Sequence, residues 1–213
     1  MSVTLIIFIS KAGGFLREII MTAYYGAGME MDAYNMAYSL FYMPVLLFNS
    51  CITSTLVPLY VSLAQNKPRR RLDEFSSRVI NLYGLMGIAV SVLMFIFARP
   101  LVRLTGQGFD PGKQDLTVQL LRLMLPALAF IVVSIILASI LNARQKYMAA
   151  QLTGFPLTIA LLIATIGFSD TAGIRALAVG VFVSGVLQAA ILLPFLRKEL
   201  RYKPSFNFAD ETL

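Results

Sequence analysis

The stretch SKAGGFLREII, residues 10–20, sets three ionisable side chains and two adjacent glycines inside an otherwise apolar run. At about 100° per residue, Ser10, Gly14, Arg17 and Met21 share one face of a helix, and Lys11 and Glu18, seven apart, nearly eclipse each other on the next. Together these faces make a polar sector, and Gly13 and Gly14 leave it without bulk, which permits either close approach of another helix or a cavity. Two cations stand against one anion. If the sector faces water, Lys11 and Arg17 suit an anionic substrate; the plainer alternative is that Arg17 and Glu18 pair with charges on neighbouring helices and lock a bundle.

Further along, Asp32 opens a second apolar segment, where it can serve as an N-cap or as a gating contact to a basic group. Asn49, Ser50, Thr53, Ser54 and Thr55 form a polar band deeper in that segment. Hydroxyls on adjacent turns more often bond neighbouring helices than ligands. Arg122, four residues before Pro126, either lies at an interface or borders the same cavity as Lys11 and Arg17. Nucleophile–base sets, Gly-rich phosphate loops and paired carboxylates at a plausible site are not seen, and the chain has no His and a single Cys, so neither an enzyme nor a common zinc site is expected.

The elements that must position these residues follow from composition. Of 213 residues, 58% are hydrophobic and 14% charged, with a mean hydropathy of +0.75, whereas soluble domains carry about 25% charged residues. Apolar runs near the roughly 20 residues that cross a bilayer as helix recur along the chain, without the alternation of a membrane β-barrel. The fold class expected is therefore all-α: a polytopic membrane bundle of six transmembrane helices over about 3–25, 32–65, 74–103, 115–143, 148–168 and 172–198. Pro44, Pro58, Pro126, Pro156 and Pro194 each remove a backbone donor and are expected to bend their helices. Cys51 is expected as a small packing residue.

A charge at the centre of a membrane helix costs roughly 2.5–3.5 kcal/mol on insertion scales, so Lys11, Arg17 and Glu18 need compensation. The remaining charge follows topology. QNKPRRR, NARQKY and RKELRYKP, after the second, fourth and sixth helices, are basic, while GAGMEMD after the first has no Lys or Arg. By the positive-inside rule both ends of the chain are expected in the cytoplasm. The net charge of +7 is then mostly a topology signal, with membrane lipids as contacts and no nucleic acid. Residues 1–202 form the expected membrane lobe, and 203–213 a cytoplasmic linker. No cleavable signal peptide is evident.

Several of these motifs occur together in one family. SKAGGFLREII followed by YYGAGMEMDAY resembles the opening signature of the MurJ (MviN) family of lipid II flippases. The resemblance continues through STLVPLY, LTVQLLRLMLP, ILNARQKY and GVLQAAILLPFLRK to KPSFNF, and so covers nearly the whole chain. It implies the multidrug/oligosaccharidyl-lipid/polysaccharide exporter fold, two six-helix lobes around a central cavity, of which this chain resembles the N-terminal one. Carried over by position, Lys11 matches a cavity arginine, Arg17 and Glu18 an arginine–acid pair, and Asp32 an aspartate important for transport. Pro44 and Val45 stand where an arginine is usual, and Asn49 where an acid is. Lys11 keeps the charge of an arginine without its bidentate fork.

The resemblance implies a flippase of the bacterial inner membrane. Its substrate would be lipid II, a polyprenyl-pyrophosphate glycolipid, bound by Lys11, Arg17 and Arg122 and gated by Glu18, Asp32 and Asn49. A second, C-terminal lobe is the expected partner, and no cofactor is expected in this lobe; a coupling ion is not identified. The alternatives are a polysaccharide-lipid flippase or a cation-coupled drug antiporter, although a cavity for cationic drugs should be acidic rather than basic.

Overall fold

The computed structural model describes residues 3–66 and 68–199. Lys67, the basic run after the sixth helix from Leu200 onward and the expected linker at 203–213 lie outside the described residues. Nine α-helices, one 3-10 turn and no strand occur among the described residues, as expected for an all-α membrane bundle. They are α1 (Val3–Tyr25), α2 (Met29–Asn66), α3 (Arg69–Ile96), α4 (Ala98–Thr105), α5 (Pro111–Met124), α6 (Ala127–Ala143), α7 (Tyr147–Gln151), the turn Leu152–Gly154, α8 (Phe155–Ala172) and α9 (Arg175–Glu199). Four helical segments are long and apolar enough to cross a membrane, and the bent pair α5–α6 makes a fifth. Every 18-residue window of α1 contains Lys11, Arg17 and Glu18, which sets it apart from the apolar spans.

Proline explains where long apolar runs break, and also where they do not. The third expected helix ends early, at Ile96, because Pro100 cannot donate to the carbonyl four residues back and its ring crowds it. The chain restarts as α4, a short amphipathic helix that buries Ala98 and Val102 and leaves Arg99 and Arg103 exposed. At Pro126 the fourth expected helix bends by 45°. There the buried Ser91 hydroxyl donates to the Leu125 carbonyl at 2.7 Å, tying α3 to the bend. Pro156 falls in the first turn of α8, where its missing N–H costs little. By contrast α2 runs through Pro44 and Pro58, and α9 through Pro194, without interruption. Of the five prolines expected to bend their helices, Pro126 coincides with a break and Pro44, Pro58 and Pro194 do not.

The centre of the bundle is α6. It is apolar all round, and Leu128, Val132, Ile136 and Ile140 are fully buried. Around it pack α2, α3 and α9. Close approach uses small residues: a Cβ at Gly185 of α9 would lie 3.0 Å from Ala127 Cβ and 3.1 Å from its carbonyl, and one at Gly180 would lie 3.1 Å from Ala164 Cβ of α8. Without a hydrophobic driving force inside lipid, such intimate contact is what holds helices together. Cys51, expected in packing, is exposed instead.

Polar ties close both ends of the bundle. At one end Arg144, just after α6, donates Nε–H to Tyr60 Oη of α2 at 2.7 Å and lies 4.0 Å from Asp73 Oδ1 of α3. At the other end Tyr25 donates to the Gly173 carbonyl, Arg175 to Gln119 Oε1, and Lys113 to Asp32.

Candidate functional site

The outer surface of the lobe has two characters. On α3 the exposed side chains Leu85, Ile88, Val92, Leu93 and Ile96 are apolar, as lipid contact requires. On α2 the exposed side chains include apolar Met43, Leu46 and Leu47 but also the polar Asp32, Asn35, Ser39, Tyr42, Asn49 and Thr53. The polar ones recur at steps of three, four and seven, so they lie along one stripe of the helix, opposite the buried Ala33, Ala37, Phe41 and Phe48. Polar groups at this depth face water or protein rather than lipid.

Among the described residues, the expected hydrogen bonds from this band to neighbouring helices are not made. Thr53 donates to the Asn49 carbonyl and Ser54 to the Cys51 carbonyl of their own helix. Short hydroxyl side chains reach the preceding turn readily, which satisfies them without a partner helix.

Beside the stripe lies a cleft of about 290 Å³. Its polar lining is Tyr38, Tyr42 and Asn49 of α2, Thr153 of the turn and Gln188 of α9, over an apolar floor that includes Ile131 and Ile135 of α6. Tyr34, Tyr38 and Tyr42 stand one helical turn apart with near-parallel rings, centroids 6.0 and 5.7 Å apart and planes 17° and 12° off. The series grades from buried Tyr34 to exposed Tyr42.

Helix α1 contributes no residue to the lining of this cleft but touches its wall, because Ser10 packs against Gly154 of the turn. It leans on α8, with Gly13 in ordinary contact with Thr158, and on the turn, where Ser10 Oγ lies so close to Gly154 that no Cβ fits there unless the hydroxyl rotates. Gly14 meets nothing within 4 Å. The two glycines thus divide the roles that their lack of bulk allows: Gly13 admits a neighbouring helix and Gly14 leaves open space. Lys11 and Glu18 are exposed on the open side. The Arg17 side chain is only 14% exposed, forms an ion pair with Glu18, and has a buried Nε–H without an acceptor.

Of the residues selected from sequence, Lys11, Arg17 and Glu18 lie together on α1, and Asn49 lines the adjacent cleft. Asp32 sits in the first turn of α2, which begins three residues earlier than expected, and its Oδ2 accepts from Lys113 Nζ at 2.7 Å. The contact is therefore the ion pair, not the N-cap. Arg122 does not join the group. It is exposed and stacks 5.0 Å from the centroid of Phe95 on α3, outside the lining of the cleft.

Lys113 itself was missed, because its partner is 81 residues away and the loop before it is of mixed charge. Its ammonium also lies 4.1 Å from the Phe109 ring centroid. The Arg144–Tyr60–Asp73 cluster was missed too. ILNARQKY marks Arg144 as a loop cation, and nothing local shows that it turns back into the bundle.

A family model described as lipid II flippase MurJ matches residues 21–213. The chain belongs to the MurJ family. A lipid II flippase MurJ from Thermosipho africanus is 28% identical over 196 residues, 92% of this chain and 40% of that protein. Among solved structures, MurJ in an inward closed conformation superposes with a TM-score of 0.75 at 24% identity, over 96% of this chain and 43% of the other. An outward-facing multidrug resistance MATE transporter of the MOP superfamily superposes at 0.70 with 16% identity, covering 96% and 48%. These structures establish the fold. The chain spans about two fifths of the length of the MurJ relatives it matches. Residues 1–20, with all three charges of α1, precede the segment matched by the MurJ model, so geometry carries the reading of those charges.

Proposed function

We propose that this chain is the N-terminal lobe of a lipid II flippase of the bacterial cytoplasmic membrane. It would move undecaprenyl-pyrophosphate-linked peptidoglycan precursor from the inner to the outer leaflet. Membership of the MurJ family supports the substrate, and the span of two fifths of the relatives supports a second, C-terminal lobe as partner. The observation that carries the reading is Arg17: a largely covered guanidinium with a buried donor that lacks an acceptor, on the same helix as the exposed Lys11.

A pyrophosphate offers that donor an acceptor and supplies the anion that two cations and one carboxylate lack. Charge-assisted hydrogen bonds to phosphate strengthen as water is excluded. Glu18 holds Arg17 when substrate is absent and yields it when substrate arrives, a differential interaction of the kind a conformational switch requires. Asp32 and Lys113 hold α2 to α5 at the end of the bundle away from the basic loops. Parting of that pair would open the cleft to the outer side, with both ends of the chain in the cytoplasm and the lobes rocking about the site. The process makes and breaks no covalent bond, so this is transport and not enzymatic catalysis.

Complementation of a bacterium depleted of its lipid II flippase tests the reading. The complete reading frame that encodes this chain is expected to restore growth, and Arg17→Ala at equal membrane abundance is expected to abolish the rescue. A complete frame that reaches the membrane and never rescues would refute lipid II transport.

A further inference from the structure

The cleft between α2, the turn and α9 contains no charged side chain among its lining residues. That is unexpected if anion binding were the lobe's only task. Its polar lining consists of two amides, Asn49 and Gln188, one hydroxyl, Thr153, and the phenols of Tyr38 and Tyr42. Each amide and each phenol offers both a donor and an acceptor, and Thr153, whose hydroxyl donates to the Ala150 carbonyl, offers an acceptor. Such a set matches a ligand whose groups also donate and accept, which is the chemistry of a neutral polyol. An anion would instead select donors alone, and those are on α1.

The rings add a second requirement. An aromatic face is electron-rich and attracts the weakly positive C–H bonds of an apolar face. A pyranose ring has one such face and carries hydroxyls around its edge. Tyr42 is the open end of the stacked series and is 40% exposed, while Tyr34 and Tyr38 behind it hold it in register. Tyr42 lies thirteen residues inside α2, roughly 20 Å along the axis from its start. At that depth an exposed phenol beside two amides fits a polar guest better than hydrocarbon. A volume of about 290 Å³ is near the lower bound for small-molecule sites, room for a sugar ring rather than an entire headgroup.

We infer that the cleft formed by Tyr38, Tyr42, Asn49, Thr153 and Gln188 is a saccharide subsite. It takes the sugar ring of the lipid-linked substrate, stacked on Tyr42, while Lys11 and Arg17 hold the pyrophosphate. The inference rests on the flippase reading above and adds to it a division of labour: α1 binds the anion common to all polyprenyl-pyrophosphate lipids, and α2 with α9 distinguishes those that carry sugar.

The test uses the protein from the complete reading frame, purified in nanodiscs, with binding of two probes measured by native mass spectrometry: undecaprenyl pyrophosphate, which has no sugar, and lipid II. Tyr42→Ala is expected to weaken lipid II by about tenfold, the scale of one ring's contact area, and to leave undecaprenyl pyrophosphate unchanged. Gln188→Ala should follow the same pattern, and Tyr42→Phe should recover most of the affinity lost in Tyr42→Ala, since it restores the ring. Arg17→Ala should weaken both probes. Equal effects of Tyr42→Ala on the two probes, or none on either, overturn the saccharide subsite while leaving the flippase reading intact. Failure of the unmutated protein to bind either probe, or indifference of both to Arg17→Ala, defeats the flippase reading and the subsite with it.

Discussion

Arg144→Ala should destabilise the lobe more than its position in a basic loop suggests. The Arg144 and Asp73 side chains are 14% and 12% exposed, and their charged groups lie 4.0 Å apart. At an effective dielectric of 20 that separation corresponds to a gross attraction of about 4 kcal/mol. Most of it offsets the desolvation of two ions, so the pair adds little relative to an apolar replacement, but removing one partner leaves the other buried and uncompensated, at about 3–5 kcal/mol. The lost hydrogen bond to Tyr60 Oη falls within that range. For a chain of this size each kcal/mol moves the melting temperature by roughly 2–4 °C, so Arg144→Ala should lower it by about 10 °C.

The decisive comparison is the double variant. Asp73→Asn removes the charge that Arg144→Ala strands, so Arg144→Ala/Asp73→Asn should be more stable than Arg144→Ala alone. Arg144→Lys should fall between, since it keeps the charge but loses the Nε–H and the guanidinium plane 5.6 Å from the Tyr60 ring centroid. The unmutated protein, Arg144→Ala, Asp73→Asn, the double variant and Arg144→Lys would all be melted in detergent at one scan rate. Additive effects of the two single substitutions would refute the coupling and with it the clamp between α2, α3 and α6.

Gly185→Val should disrupt the contact of α9 with α6, because even a Cβ there comes within 3.1 Å of the Ala127 carbonyl; overpacking of this kind costs about 1–3 kcal/mol, visible as a lower melting temperature. Ser91→Ala should cost about 1 kcal/mol by the same measurement, since it deprives the Leu125 carbonyl at the α5–α6 bend of a buried donor. Asp32→Lys should impair complementation, and Asp32→Lys/Lys113→Asp should recover part of it. The exposed carboxylate limits the pair's effect on stability to about 1 kcal/mol, so growth and not melting is the sensitive readout.

How far the sequence determined this protein depends on the range of the interactions involved. Helix type and extent are local, so apolar run length and proline position already marked the α-helical bundle and placed α1 at its observed limits. Helical periodicity likewise gathered Lys11, Arg17 and Glu18 into one sector and Asn49 to Thr55 into one band, because residues on a single helix share a face by rotation alone. Only the tertiary structure decided what those faces meet. Asp32 acquired Lys113, Arg122 settled on Phe95 of α3, and Arg144 turned inward to Asp73 and Tyr60. Gly13 found Thr158 while its neighbour Gly14 found open space. Each of these outcomes depends on where a second helix crosses the first, which is set by packing around α6 and by the small residues that let α9 approach. No periodicity within one segment encodes that crossing.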